Sequence, residues 1–513
     1  MRLKFGASPL PERAHSDVAG VIPAPFARWI RWAVFLLVAL IGLGIRLPQL
    51  GARPMHTDEA VNAYIVGQLL AGESFTYDAR DRHGPALAAL ALPLARMEGA
   101  KAFSDLTESD VRLTSVLAGT VTILLFGAAI EMFGLAPCLI AAVLFAGASL
   151  PVYYDRYFIH ESLFGAATFG LILSGWHAWR KDSVGLASLA VACAAIMLAC
   201  KETAVLHFLA LAIAMLVFWF WNLHRKSIRR IRLRALLIAA AVFILLSVAL
   251  YTWFGRDWKA LAALLHAVPN FVARAGGEGH QKPIGYYAQL LTDNWSGRIL
   301  CALACVGLFL ILKKRNPSPY SLLAYYFLFL AAIYSLIPYK TPWLALNFWL
   351  PISLFAARAV ESLWRIAKKY LPLRAAIPAF SILAALAVGL IVHETRQRVF
   401  VHAADETNPY AYAHTSEDLL GLPEEISELA QRKNIASPRI AVIASDPWPL
   451  PWYLRHFAHV GFWQPGQPVG EADFYVTSTE ASEQYKDQLR NYRPEFFGAR
   501  PGVLILLWSP APK

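Results

Sequence analysis

Apolar and polar residues along this chain separate into long blocks, not into the alternation of a surface strand or the single stripe of a soluble helix. Apolar runs of roughly 17 to 25 residues are long enough to cross a hydrocarbon core as a helix. They begin near Ala33, Leu113, Leu135, Leu163, Gly185, Ala204, Ala235, Ile299, Tyr320, Trp343 and Ala375. The pattern therefore predicts about eleven membrane-spanning helices, those from Leu135 and Gly185 being short. After residue 394 the pattern changes. A polar linker leads to SEDLLGLPEEISELAQR, which has helical periodicity. Strand-like runs follow: IAVIA (440–444), ADFYVTST (472–479) and VLILLW (503–508), with a helical segment at 480–490. That alternation predicts a small α/β domain. The expected fold is mainly α: a polytopic membrane domain, 1–393, followed by an α/β domain, 394–513.

Composition agrees. The chain is 57% hydrophobic and 16% charged, against about 25% charged in soluble domains. A net charge of +12 raises nucleic acid as a partner, but the basic residues sit in short loops between apolar runs, so nucleic-acid binding is excluded. The basic loops are Arg28 with Arg31, Arg180-Lys181, HRKSIRRIRLR (224–234), Lys313-Lys314-Arg315 and Arg365 to Arg374. Positive charge marks the cytoplasmic side. Loops 51–111, 151–161, 200–203, 255–297 and 338–342, and the α/β domain, then lie on the extracytoplasmic side of the cell (inner) membrane. Residues 1–30 are polar and basic, and no A-x-A-like site follows the first run, which reads as a retained signal anchor. Five cysteines fall in or beside apolar runs without CxxC or Cys/His spacing, so neither a disulfide framework nor structural zinc is indicated.

The outer loops carry unusual chemistry. PALAALALPLARM, interrupted by Pro93, is too short to span and reads as an interfacial helix. WKALAALLHAV and ARAGGEGHQKP, in 255–297, read as a mobile cover. Just past the first span lie His56, Asp58 and Glu59. Next comes YDARDRHGPAL, with Tyr77, Asp78, Arg80, Asp81, Arg82 and His83. PVYYDRYFIHESLF holds Asp155, Arg156, His160 and Glu161; Lys201-Glu202 follow; IPYKTPWLALN supplies Tyr339, Lys340 and Trp343. The inner loops are plainly basic and show no such mixture. Plainer readings stand beside these. Thr57 or Asp58 is a good N-cap, Arg156 and Lys340 suit snorkelling, Lys201-Glu202 suits an ion pair, and the tyrosines around Asp155 suit an interfacial belt. Trp448 and Trp452 suit sugar stacking or, more simply, a small core. Carboxylates that can deprotonate a hydroxyl, beside cations that can bind phosphate, suit a substrate anchored in the membrane.

In order, spacing and sidedness, HTDEAVNA, YDARDRHGPAL, YYDRYFIHESLF, KE at 201–202 and YKTPWLALN resemble the GT-C superfamily of membrane glycosyltransferases. That class includes protein O-mannosyltransferases and aminoarabinose transferases. Within it the motifs look most like the Agl23-like, flippase activity-associated branch. The resemblance implies an inverting transferase that moves a sugar from a polyprenyl-phosphate donor to a protein, lipid or glycan acceptor. It assigns Asp58 first and Glu59 second as catalytic acids. It implies His83, Asp155, Arg156, His160, Glu161, Lys201, Tyr339 and Lys340 as substrate-binding residues. It allows a divalent metal, with Asp58 and Asp155 as ligands, and no other cofactor. The alternative is a lipid-linked glycan flippase or other transport-associated protein. A transporter, however, places charges at mid-membrane on broken helices, whereas the predicted spans are nearly free of charge.

Overall fold

The structure, a computed structural model, describes residues 24–78, 82–222, 233–276, 280–314 and 316–511. Arg80, Asp81, most of the basic segment 224–234, part of the glycine-rich stretch after Ala275, and Arg315 lie outside the described residues.

Among the described residues, eight helices are long and apolar enough to cross a membrane. They are Arg28–Arg46, Glu108–Ala128, Ala204–Trp221, Arg234–Tyr251, Trp295–Lys313, Pro319–Leu336, Pro342–Tyr370 and Leu373–Val401. A ninth span is made by Leu135–Gly147 with Ser149–Asp155, which meet at a 61° bend where Ala148 takes an extended backbone. Glu161–Lys181 and Val184–Cys200 account for the other two predicted runs. They pack on each other, and the second is only 17 residues long. All eleven runs are thus helices. Hydrocarbon is as apolar as leucine, so these helices gain nothing by hiding every apolar side. The stretch Pro342–Tyr370 is 83% buried and forms the centre of the bundle, while Leu373–Val401 is 6% buried and lies along its outside.

Ala86–Met97 is the predicted short apolar helix, and it continues through Pro93. Lys259–Ala275 is the second predicted helical piece of the outer loops.

The C-terminal sheet has five strands: β1 Arg439–Ile443, β2 His459–Trp463, β3 Phe474–Ser478, β4 Tyr492–Arg500 and β5 Val503–Pro510. Their order is β2-β1-β3-β5-β4, with β1 parallel to both neighbours and β5 antiparallel to both of its own. The central strands β1, β3 and β5 match the predicted runs. The edge strands β2 and β4 are half-buried, so HVGFW and YRPEFFGAR carry no continuous apolar signal, and Pro494 is tolerated where a strand has only one neighbour. The helix expected at 480–490 is shorter, Thr479–Gln484.

This domain sits on the loop-rich end of the bundle. The Met55 N–H donates to the Tyr453 hydroxyl at 2.7 Å and the Thr415 hydroxyl to the Met55 carbonyl at 2.6 Å. Trp452, fully buried, donates its indole N–H to Glu108 at 2.8 Å.

Candidate active site

Two polar clusters form at that end, and the helix Thr57–Leu70 contributes to both. Its N-cap is His56, whose Nδ1 accepts the Asp58 N–H at 3.0 Å, while Glu59 accepts the His56 N–H at 3.1 Å. The two bonds form a capping box, so the cap is neither Thr57 nor Asp58. Glu59 then turns inward and is clasped by Arg112, whose Nε and Nη2 reach its two oxygens at 2.8 Å each. The Phe158 N–H adds a further 2.8 Å bond. Burial pushes the Glu59 carboxyl up, but the charges of Arg112 and Arg53 and these hydrogen bonds pull it further down, to about 2.

The rest of this cluster is equally closed. Arg46 holds Asp155 at 2.8 Å, both fully buried. Gly119 makes room for that carboxylate, since a Cβ there would lie 2.2 Å from Asp155 Oδ2. Arg156 donates to the carbonyls of Arg46 and Pro48 at 2.6 Å and of Gln49 at 3.0 Å. Arg53 lies over the rings of Tyr153 and Tyr157. Those tyrosines are buried and form no interfacial belt, and Arg156 is a cross-brace, not a snorkelling residue. Of the predicted residues, Glu59, Asp155 and Arg156 thus lie in this closed cluster, engaged by protein groups, with Asp155 Oδ1 left without a partner.

The second cluster lines a cavity of about 350 Å³. Its walls include Asp58, Arg82, His83, His160, Glu161, Lys201, Glu202 and Tyr339, with Trp343 and the sheet domain's Trp448. Every loop that the charge pattern assigned to one side supplies a wall residue. Six of the predicted residues meet here: Asp58, His83, His160, Glu161, Lys201 and Tyr339. Lys340 does not. It is buried, and its ammonium ties the turn by donating to the carbonyls of Ile337 at 2.5 Å and Lys282 at 3.3 Å.

Asp58 is half-buried, and among the described residues its carboxylate has no hydrogen-bond or ion-pair partner. Lys201 pairs with Glu161 at 2.5 Å, not with its sequence neighbour. Burial works against the Lys201 ammonium, but the charge and hydrogen bond of Glu161 raise it above its ordinary value. The second Glu161 oxygen, Oε2, is buried and without a partner. His160 is pushed well below the usual range by burial and by the charges of His83 and Lys201.

Arg82 and Glu202, named among the outer-loop polar residues but given no site role from sequence, are wall residues as well. Arg46, Arg53 and Arg112 gave no signal, because each sits at the edge of an apolar run, outside the quoted motifs.

A divalent ion shared by Asp58 and Asp155 does not fit this arrangement. Asp58 lines the large cavity, whereas Asp155 lies beside a separate one of about 20 Å³ with its carboxylate on Arg46. Among the described residues, no three His, Cys, Asp or Glu gather as metal ligands.

No protein-family model and no curated protein matches the chain. Solved structures do. ArnT from Cupriavidus metallidurans, bound to undecaprenyl phosphate, aligns with a TM-score of 0.65 over 93% of this chain and 98% of its own, at 15% identity. The oligosaccharyltransferase AglB from Archaeoglobus fulgidus, in complex with an inhibitory peptide and a dolichol-phosphate, aligns at 0.58 over 94% of this chain and 74% of its own, at 14% identity. The arabinofuranosyltransferase AftD from Mycobacteria aligns at 0.50 over 95% of this chain and 40% of its own, at 14% identity. Such identities speak for a shared fold and for no branch within it. What the membrane helices, the polar cavity at their loop-rich end and the sheet domain above it build is therefore the fold of these structures, GT-C-like, in a multi-pass membrane protein.

Proposed function

We propose that this chain transfers a sugar from a polyprenyl-phosphate donor to an acceptor hydroxyl, with inversion at the anomeric carbon, in the cavity that Asp58 lines. The observation that carries the reading is the Asp58 carboxylate, half-buried and, among the described residues, unpartnered on the wall of the cavity of about 350 Å³. A general base needs an oxygen free to take a proton. Glu59, held as a carboxylate by Arg112, has none to offer, so the base is Asp58 alone.

The remaining walls suit the donor. Lys201 has three N–H donors and uses one on Glu161, which leaves two for phosphate oxygens beside Arg82. Apolar residues Val61, Ile65, Leu206 and Phe271 continue the wall and suit a prenyl chain entering from the side. The volume falls within the range of about 300 to 1,000 Å³ usual for small-molecule sites. Two of the fold's neighbours hold a polyprenyl phosphate, which supports the same carrier here. In the proposed step the acceptor oxygen attacks the anomeric carbon as its proton passes to Asp58. The bond from that carbon to the phosphate oxygen breaks on the opposite face, and its electron pair goes to the phosphate. The basic loops beyond the other ends of the helices support an extracytoplasmic site.

The test is turnover by purified protein in nanodiscs, using radiolabelled polyprenyl-phosphate sugars, wild type beside Asp58→Asn. Sugar transfer or release by the wild type alone supports the reading. Donor left intact across a broad panel, with labelled lipid moved between leaflets, replaces it with transport.

A further inference from the structure

Glu202 plays no part in the step just described, yet it stands half-buried on the cavity wall with both oxygens engaged. Its Oε2 lies 3.0 Å from His83 Nδ1, and its Oε1 accepts the Tyr77 hydroxyl at 2.9 Å. Burial alone pushes the Glu202 carboxyl up, but the charge and hydrogen bond of His83, with the Tyr77 bond, bring it down to about 2. It is a carboxylate at any working pH. An anion at Nδ1 fixes the proton on that nitrogen and leaves Nε2 to the cavity, where the His83 side chain is 35% exposed.

The pairing is built into the chain path. A Cβ at Gly84 would lie 2.2 Å from the Ala199 carbonyl oxygen, so only glycine lets the segment after His83 press on the end of the helix Val184–Cys200. That contact sets His83 against Glu202. His160 then closes the corner, with its ring edge-on to His83 at 5.2 Å and a hydrogen bond to the Gly84 carbonyl. The charged and titratable groups around His83 are thus Glu202, His160, Tyr77 through Glu202, and Arg82. Lys201, Glu161 and Asp58 line the same cavity.

We propose that the Glu202–His83 pair is the acid that serves the leaving phosphate: Glu202 positions His83 through Nδ1, and the protonated form of His83 donates Nε2–H to the departing phosphate oxygen. This rests on reading the cavity as a polyprenyl-phosphate sugar site. Cleavage places the electron pair of the carbon–oxygen bond on the phosphate and creates a monoester dianion. The second pKa of such a phosphate is about 6, so the new dianion readily takes a proton from a donor beside it. The acceptor's proton sits on Asp58 at that point, and its return to His83 through solvent restores both groups. Glu202 touches neither substrate and is a positioning residue.

Binding of undecaprenyl methyl phosphate to the full chain in nanodiscs, from pH 5 to 8, tests this. The probe's single charge does not titrate in that range. Wild type should bind more tightly as pH falls. His83→Gln should bind about tenfold more weakly at pH 5, as expected for loss of a charge-assisted hydrogen bond, and should lose the slope. His83→Arg should restore affinity without the slope, which separates loss of charge from loss of fold. Glu202→Gln should move the midpoint to lower pH. Wild-type binding that ignores pH, or a slope that survives in His83→Gln, overturns the proposal. If these binding effects appear but no donor is ever consumed, the transferase reading fails while the phosphate-binding dyad stands. If donor is consumed and His83→Gln alters neither binding nor turnover, the dyad fails alone.

Discussion

Asp58 and Glu59 are neighbours in sequence and opposites in structure. Glu59 belongs to the closed cluster, with Asp155 and four buried arginines whose remaining donors largely end on backbone carbonyls. Asp58 belongs to the open cluster, in which Arg82, Lys201 and His83 share walls with a cavity. Removing an ion from water costs several kcal/mol, and a buried pair recovers that only with near-ideal geometry and full hydrogen bonding. The closed cluster comes near the condition, leaving Arg53 Nε and Asp155 Oδ1 without a partner, and so works as a brace. It fastens the first span, the first loop and the segment 155–158 into one block. The open cluster leaves bonding capacity unused on the wall of the large cavity, at Asp58 and at Glu161 Oε2. Polar groups left unspent beside a cavity are the better guide to chemistry than acidity or burial alone.

The contrast can be broken experimentally, most severely in the brace. Arg112→Ala strands the Glu59 carboxylate and should cost about 3 to 5 kcal/mol, read as loss of the folded protein in a detergent melting curve. Stability matching wild type would mean that the cluster does not brace the fold. Asp58→Asn should do the reverse: turnover falls about 10²- to 10⁴-fold while melting stays put. A matching drop in both would place Asp58 in the architecture instead.

Gly84→Ala sits between the two. The close approach to Ala199 should cost about 1 to 3 kcal/mol, as for other overpacked sites, and turnover should fall further than melting because His83 is displaced. Acid titration gives the mildest separation. The Glu59 carboxyl is held below its ordinary value of 4.5, so its contribution is present above that value and lost as pH falls toward about 2. Wild type should lose stability across that window, and Glu59→Gln, already weakened, should lose less.

Much of this was legible in the sequence. Apolar blocks are set by local composition, so all eleven helices could be read, as could the central strands. The edge strands could not, since a strand buried on one side only needs no apolar run. Within the candidate site, the loops that meet could be read from charge asymmetry, and six of the predicted residues do share the cavity. The partners could not be read. Lys201 stands next to Glu202 in the chain but bonds Glu161, forty positions away, because the first residue of the helix Glu161–Lys181 meets the C-cap of the neighbouring helix Val184–Cys200 in space.

Sequence alone determined that this chain crosses a membrane many times, that its acids and aromatics gather in one set of loops, and that a small sheet domain follows. Those properties follow from transfer free energies and repeat lengths, which act residue by residue. Only the tertiary structure decided that Glu59, Asp155 and Arg156 are bracing, that Asp58 is free, and that Glu202 grips His83. Whether a charged side chain is spent or available depends on which groups lie within about 3 Å of it, and that distance is set by packing between segments far apart in the chain.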